Sequence, residues 1–230
     1  MTPPILRTAH GDLALPAFLP DATRAVIRGL DAADIEAVGV PGLVVCAFHL
    51  MQRPGAKTVA ALGGLHRLTG WRRPILVDSG GFQVFSLIHQ NPRLGSLTNR
   101  EAIFRAAEGR KTQRLGPEKS IQVQFRLGAD ILICFDDCTH PDLPAEQQAA
   151  SVARTVAWAR RCKEEFQRGL DARAGASPRR REREDWALSR ESAQSIACPT
   201  PTAQPLAGKL EGAQERGSGA GGGEGERCAN

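Results

Sequence analysis

The sequence predicts an α/β fold with a mainly parallel sheet across its first 170 residues, closed as a barrel or laid out as a doubly wound layer. Three features carry that expectation. Continuous apolar runs at residues 43–48, 75–77 and 131–135 are rich in Val, Ile and Leu and read as strands buried on both faces. Segments with helical signals alternate with them. The composition then breaks after Leu170, which sets residues 1–170 as the folded part and residues 171–230 as a disordered, low-complexity tail.

Taken in order, Asp31 is placed to cap a helix through Ala32, Ala33, Asp34, Ile35, Glu36, Ala37 and Val38, with Gly39 as its stop. The first two apolar runs follow. Pro117 supplies the first turn of a second helix that ends at Gly128 and leads into the third run. Residues 145–167 contain no Gly or Pro and read as a longer helix. After Leu170 the large apolar residues are Trp186, Leu188, Ile196, Leu206 and Leu210, too little surface to offset the entropy of ordering the segment. The basic run from Arg179 is interleaved with Glu182, Glu184 and Asp185, which favours a solvated tail over a nucleic-acid-binding arm.

Of the 230 residues, 41% are hydrophobic and 24% charged, as in a soluble globular protein. No apolar stretch approaches the roughly 18 residues of a membrane span, and the N-terminus lacks a signal peptide, so the expected compartment is the cytoplasm. The net charge of +5 permits nucleic-acid binding without requiring it. Six cysteines show no Cys-x-x-Cys pair and no histidine at zinc-site spacing, so they are expected to be reduced thiols rather than ligands.

Each apolar run ends in a chemically able residue: Phe48 then His49, Val77 then Asp78, Phe135 then Asp136. In parallel α/β folds active sites gather at the carboxyl ends of the strands, so these three residues are candidates for one catalytic mouth. In Asp78-Ser79-Gly80-Gly81-Phe82-Gln83 the two glycines let backbone approach a ligand and expose amide donors. Asp78 there is suited to hold or move a proton, and Phe82 offers a face for a planar base. Asp136 and Asp137 are adjacent carboxylates that leave the chain in different directions and need not share a site. Cys134 and Cys138 read as packed thiols, His66 as a loop or surface residue, and Trp71-Arg72-Arg73 as a solvated turn.

The block Trp71-Arg72-Arg73-Pro74-Ile75-Leu76-Val77-Asp78-Ser79-Gly80-Gly81-Phe82-Gln83-Val84-Phe85-Ser86-Leu87 is similar to the signature of the tRNA-guanine transglycosylase family. Further matches stand around it in family order: Leu15-Pro16-Ala17-Phe18-Leu19-Pro20, His49-Leu50-Met51-Gln52-Arg53-Pro54-Gly55, Leu62-Gly63-Gly64-Leu65-His66, and Gly116-Pro117-Glu118-Lys119-Ser120-Ile121-Gln122. The last is Gly128-Ala129-Asp130-Ile131-Leu132-Ile133-Cys134-Phe135-Asp136-Asp137-Cys138-Thr139. Together they cover residues 4–168.

The resemblance implies the N-terminal part of a modified (β/α)8 barrel, of the TIM type, in an enzyme that replaces guanine in tRNA with a 7-deazaguanine such as queuine or its precursor. Its partners would be tRNA and the free base, and the intact family works as dimers. By its match Asp78 is the general acid/base. Ser79, Gly80, Gly81, Phe82 and Gln83 line the base pocket, and Asp136 hydrogen-bonds the base's Watson–Crick-like edge, where N–H donors suit a carboxylate. The family's nucleophilic aspartate, its Gln-Gly-Gly segment and its Cys-x-Cys-x-x-Cys…His zinc site have no counterpart here, so a truncated chain, without metal or cofactor and inactive alone, is expected. Two departures lie within the match: Cys46-Ala47-Phe48 replaces Asn-Thr-Tyr, and Ala107-Glu108-Gly109 replaces an Asp-Gly motif. The competing readings are a non-catalytic tRNA-binding or partner subunit of the family, and an unrelated α/β-barrel lyase or hydrolase using Asp78 and Asp136.

Overall fold

The chain opens with a short antiparallel hairpin, β1 (Ile5–Thr8) and β2 (Gly11–Ala14), in which Thr8 pairs with Gly11 across the turn. The computed structural model describes residues 3–106 and 111–175. Asp31 caps α1 (Ala32–Ala37) as expected. Its carboxylate accepts from the Asp34 amide while that of Asp34 accepts from the Asp31 amide, a reciprocal box that satisfies two orphan donors.

Three parallel strands form the central sheet in the order β3 (Leu43–Cys46), β4 (Ile75–Asp78), β8 (Ile131–Leu132). Leu43 lies opposite Ile75, Cys46 opposite Asp78, and Leu76 opposite Ile131. Between β3 and β4 run α2 (Ala47–Gln52), α3 (Ala56–Ala61) and α4 (Leu65–Thr69). After β4 come α5 (Gly81–Gln90), a small antiparallel sheet of β5 (Gly95–Leu97), β6 (Ala102–Phe104) and β7 (Gln113–Leu115), and α6 (Pro117–Leu127). Gly128 stops α6 in the left-handed conformation at φ 81°, which a side chain would resist. The last element is α7 (Ala145–Gly175).

The predicted runs are right in kind and too long at two ends. The first strand stops at Cys46, and Ala47, Phe48 and His49 belong to α2, where Ala47, Phe48 and Leu50 are all buried. An apolar run buried throughout looks the same on either side of a strand-to-helix junction, so periodicity does not reveal it. The third strand pairs over two residues only. Gln124, fully buried on α6, bonds the next residue: its Oε1 accepts from the Ile133 amide at 2.9 Å and its Nε2 donates to the Ile133 carbonyl at 2.8 Å. The Ile133 amide is shared with the Val77 carbonyl of β4 at 3.3 Å, so the Gln124 amide supplements the strand pairing at that end.

Two apolar clusters meet at the sheet. One joins Leu43, Val45, Ile75 and Val77 to Leu50, Leu65, Trp71 and Leu127. Trp71, expected in a solvated turn, is 1% exposed, and burying a ring of that size contributes on the order of 2–3 kcal/mol. The other cluster gathers Phe48, Phe104, Leu115, Ile121, Phe135 and Trp158. Its centre is a stacked pair, with the Phe135 and Trp158 rings 5.0 Å apart, and Trp158 Nε1 donates to the Asn99 carbonyl at 2.8 Å. The helix carrying Trp158 continues past Leu170 to Gly175. Arg173 lies over the Phe125 ring at 4.5 Å and donates to its carbonyl, so the compositional break falls inside a helix. The expected tail from residue 176 onward, with the Arg179 run, and the Ala107-Glu108-Gly109 segment lie outside the described residues.

Candidate active site

Asp78 closes β4, and Asp136 follows the end of β8, so neighbouring parallel strands deliver two carboxylates to the same edge of the sheet. Ser79 joins them. Fully buried, it donates from Oγ to Asp136 Oδ1 at 3.1 Å and accepts from the Gly81 amide at 3.2 Å. Behind it, Ser120 Oγ donates to the Ser79 carbonyl at 3.2 Å and accepts from Gln124 Nε2 at 3.1 Å. This chain of satisfied buried groups fixes the Asp136 carboxylate relative to β4.

The double glycine is required by packing. Gly80 begins α5 with φ 86°, and a Cβ there would meet Phe48 Cβ at 2.8 Å. A Cβ on Gly81 would overlap the Asp136 carboxylate and lie 2.7 Å from the Asp136 carbonyl oxygen. The glycines therefore let α5 start directly against Phe48 and Asp136. Beyond them Phe82 is 58% exposed, unusual for a large ring and available for stacking. Gln83 presents a buried Oε1 with no hydrogen-bond partner, an acceptor facing no donor among the described residues.

Burial raises the Asp136 carboxyl above its ordinary range, with the nearby Asp78 and Asp137 charges adding to the rise, and the Ser79 hydrogen bond opposes it. Asp137, although adjacent, does different work. It forms an ion pair with Arg154, its amide donates to Thr155 Oγ1 at 3.0 Å, and its carbonyl accepts from Ser151 Oγ at 2.6 Å. All three partners lie on α7, so Asp137 fastens the loop and leaves Asp136 to the mouth.

His49 does not join the two aspartates. It sits in α2, where burial and Arg24 lower its pKa against the opposing effect of Asp21. Opposite Asp78 in the strand register stands Cys46, whose thiol is raised to about 11, chiefly by burial and further by the Asp78 charge. The sequence signal for it was the departure at Cys46-Ala47-Phe48, which places a thiol beside Asp78 and Phe48 against Gly80. Cys134, expected to be packed, is exposed, and Cys138 is half-buried. His66, expected on a loop or surface, is half-buried in α4 and joins His10 around Asp130.

That last group has metal-ligand residue types, with His10, His66 and Asp130 offering atoms within 4.8 Å of one another. Its hydrogen bonds argue for protons instead. His10 Nδ1 meets Asp130 Oδ1 at 2.7 Å, the Ile75 amide donates to Oδ2, and His66 Nε2 lies 3.1 Å from both Oδ2 and the Arg73 carbonyl, which needs a donor. The group ties the N-terminal hairpin and α4 to the start of β4. Among the described residues it is the one such convergence, and no cysteine takes part, so a zinc site of the Cys3His kind does not fit these residues. A surface hollow of about 280 Å³ lies on the β5–β6 sheet, lined by Arg93, Ser96, Arg105 and Thr112 and not by the strand-end carboxylates.

Carboxylates at the ends of parallel strands, beside a glycine turn and an exposed ring, define an α/β protein of the enzyme type. A model of the queuine tRNA-ribosyltransferase family matches residues 4–183, and the chain belongs to that family. It is 40% identical over 164 residues to the queuine tRNA-ribosyltransferase of Novosphingobium aromaticivorans, a stretch covering 71% of this chain and 43% of that protein. The enzyme of the same name from Syntrophobacter fumaroxidans is 42% identical over 159 residues, covering 69% and 42%. That of Thermus thermophilus is 41% identical over 156, covering 68% and 40%. The chain thus spans less than half the length of these curated relatives. Among the described residues no helix is long and apolar enough to cross a membrane.

Proposed function

We propose that this chain supplies the base-binding half of a tRNA-guanine transglycosylase, in a cytoplasmic protein whose whole form exchanges guanine in tRNA for a 7-deazaguanine such as queuine or its precursor. The observation that carries this is the Asp136 carboxylate, held by Ser79 against the glycine turn that presents the exposed Phe82 ring. A guanine-type ring supplies N–H donors along one edge and a flat face for stacking. Asp136 reads the donor edge, held by Ser79. Phe82 covers the face, Gly80 and Gly81 keep the turn close, and Asp78 moves the proton. In the whole protein the three parallel strands belong to a (β/α)8 barrel that works as a dimer on tRNA.

Exchange at a glycosidic carbon with retention needs a carboxylate that attacks C1′ and a second group that handles the proton. Asp78 takes the second role and Asp136 is committed to the base, while Asp137 is paired with Arg154. The 230 residues alone are therefore expected to bind base without exchanging it. Calorimetric titration with guanine and incubation with unmodified tRNA plus radiolabelled guanine, beside a full-length family enzyme, test both halves. Guanine binding that is lost in Asp136→Ala is the expected result, with no label in tRNA. Absence of guanine binding would remove the base-pocket assignment. Incorporation within about tenfold of the full-length enzyme would show that the attacking carboxylate lies within these residues, because losing a nucleophile costs several orders of magnitude.

A further inference from the structure

We propose that Cys134 and Cys162 are a redox-sensitive pair that closes an intramolecular disulfide by exchange with a low-molecular-weight disulfide such as oxidised glutathione. The site is built from two elements. Cys134 lies on the exposed stretch after β8, two residues before Asp136, and Cys162 lies on α7 at 1% exposure. The Phe135 amide, which directly follows Cys134, donates to Cys162 Sγ at 3.4 Å, and Cys162 Sγ donates to the Pro117 carbonyl at 3.7 Å. The first of these contacts seats the Cys162 sulfur directly against the peptide that joins Cys134 to Phe135. One sulfur is open to solvent and its partner waits behind it, the arrangement of an attacking and a resolving thiol.

Cys134 is the solvent-exposed sulfur and therefore the attacking one; the neighbouring Cys162 thiol lowers it to about 7, while that same neighbour and burial push Cys162 up. The other described thiols point the opposite way. Burial raises Cys46 to about 11, and burial with the Asp136 charge raises Cys138.

In the first step the Cys134 thiolate attacks one sulfur of oxidised glutathione. The Cys134–glutathione S–S bond forms, the original S–S bond breaks, and one glutathione thiolate leaves. Cys162 then attacks Cys134 Sγ as its proton passes to the departing second glutathione. The sum is two protein thiols and one glutathione disulfide giving one protein disulfide and two glutathione thiols. The new bond, about 2.05 Å long, would fasten the 134–136 segment to α7 and remove the thiol proton that Cys162 gives to Pro117. None of this depends on what the Asp78–Asp136 mouth binds.

The test uses the whole 230-residue chain, equilibrated over a series of reduced-to-oxidised glutathione ratios, acid-quenched, alkylated and weighed intact. The expected product is monomeric, about 2 Da lighter before alkylation and short of two alkylation sites. A non-reducing tryptic map should join residues 127–154 to residues 162–163. Cys134→Ser and Cys162→Ser should each abolish that link, and Cys138→Ser should keep it. Far-UV circular dichroism checks the buried Cys162 variant, while the wild-type mass and the exposed Cys134 variant decide the matter without it. A lasting glutathione adduct on Cys134 with no cross-link, a link that survives Cys134→Ser, disulfide-joined dimers only, or no change in thiol count would each overturn the proposal.

Discussion

Gly81→Ala perturbs the site with the smallest possible group. The added methyl overlaps the Asp136 carboxylate, lies 2.8 Å from its Cγ and 2.7 Å from its carbonyl oxygen, and has no flexible neighbour to displace cheaply. Gly81 is buried, so the strain stays in the fold. Overpacking of this kind costs about 1–3 kcal/mol, and each kcal/mol moves the melting point of a domain this size by roughly 2–4 °C. Guanine binding should suffer separately. Shifting Asp136 breaks its Ser79 hydrogen bond and misplaces a charged acceptor whose bonds are worth about 1.5–3 kcal/mol each, which corresponds to roughly 10- to 100-fold in affinity. The assay is thermal unfolding and calorimetric titration of Gly81→Ala, Asp136→Ala and the double variant. Asp136→Ala removes the carboxylate clash and leaves the carbonyl clash, so the second methyl should cost less stability in that background, though not nothing. Gly80→Ala strains the same turn against Phe48 without touching Asp136, and should lose stability with a smaller change in affinity. Equal cost of Gly81→Ala in both backgrounds, or an unchanged affinity, would refute the reasoning.

Asp78→Asn keeps the shape of the strand end and removes its proton chemistry; guanine binding should weaken while far-UV circular dichroism stays the same, and a large loss of secondary structure would instead make Asp78 a structural cap. Asp136→Asn should raise stability at neutral pH and weaken binding: its raised folded pKa means that stability falls as pH rises from the ordinary 3.8 through the folded value, a penalty that a neutral amide escapes. For the same reason wild-type affinity for guanine should decline on acidification at a pH above 3.8, as the carboxylate protonates. Asp130→Asn should do the reverse to stability. Burial works against its charge, but hydrogen bonds from His66, His10 and the Ile75 amide outweigh that and hold the carboxyl below 3.8. Its stabilisation is present above 3.8 and lost as pH falls through the folded value, so denaturant midpoints of variant and wild type should differ near neutrality and converge at strong acid.

Much of this was legible in the sequence where one local rule decides the outcome. The Asp31 capping box and the Pro117 and Gly128 helix ends depend on a few adjacent residues, and the structure repeats them. The strand-end placement of Asp78 followed from a buried run meeting a polar residue. What the sequence hid was long-range. Trp71 reads as part of a basic turn, yet it is buried because α4 and β4 close over it; nothing in residues 71–73 says so. The convergence of His10, His66 and Asp130 needs the hairpin, α4 and β8 to meet, and no spacing rule joins positions so far apart. The packing reason for two glycines was not visible in the sequence, because contact with Phe48 and Asp136 is a tertiary fact.

The adjacent aspartates show how the fold assigns chemistry that residue type leaves open. Asp136 and Asp137 are the same side chain one position apart, and their fates are set by α7. Trp158 stacks on Phe135, Arg154 takes the Asp137 carboxylate, and Ser151 donates to its carbonyl. With Asp137 held on the helix side, Asp136 is left facing Ser79 and the glycine turn. A half-buried carboxylate without a cationic partner among the described residues is costly, and a structure keeps one where something else needs it. Here the cost is limited by the Ser79 hydroxyl, which accepts the Gly81 amide while donating to Asp136, so that one residue orders both the turn and the carboxylate. The proposed base pocket therefore depends on α6 and α7 as much as on the strand ends: Gln124 and Ser120 hold Ser79 from one side, and Arg154 and Trp158 hold the Asp137 loop from the other.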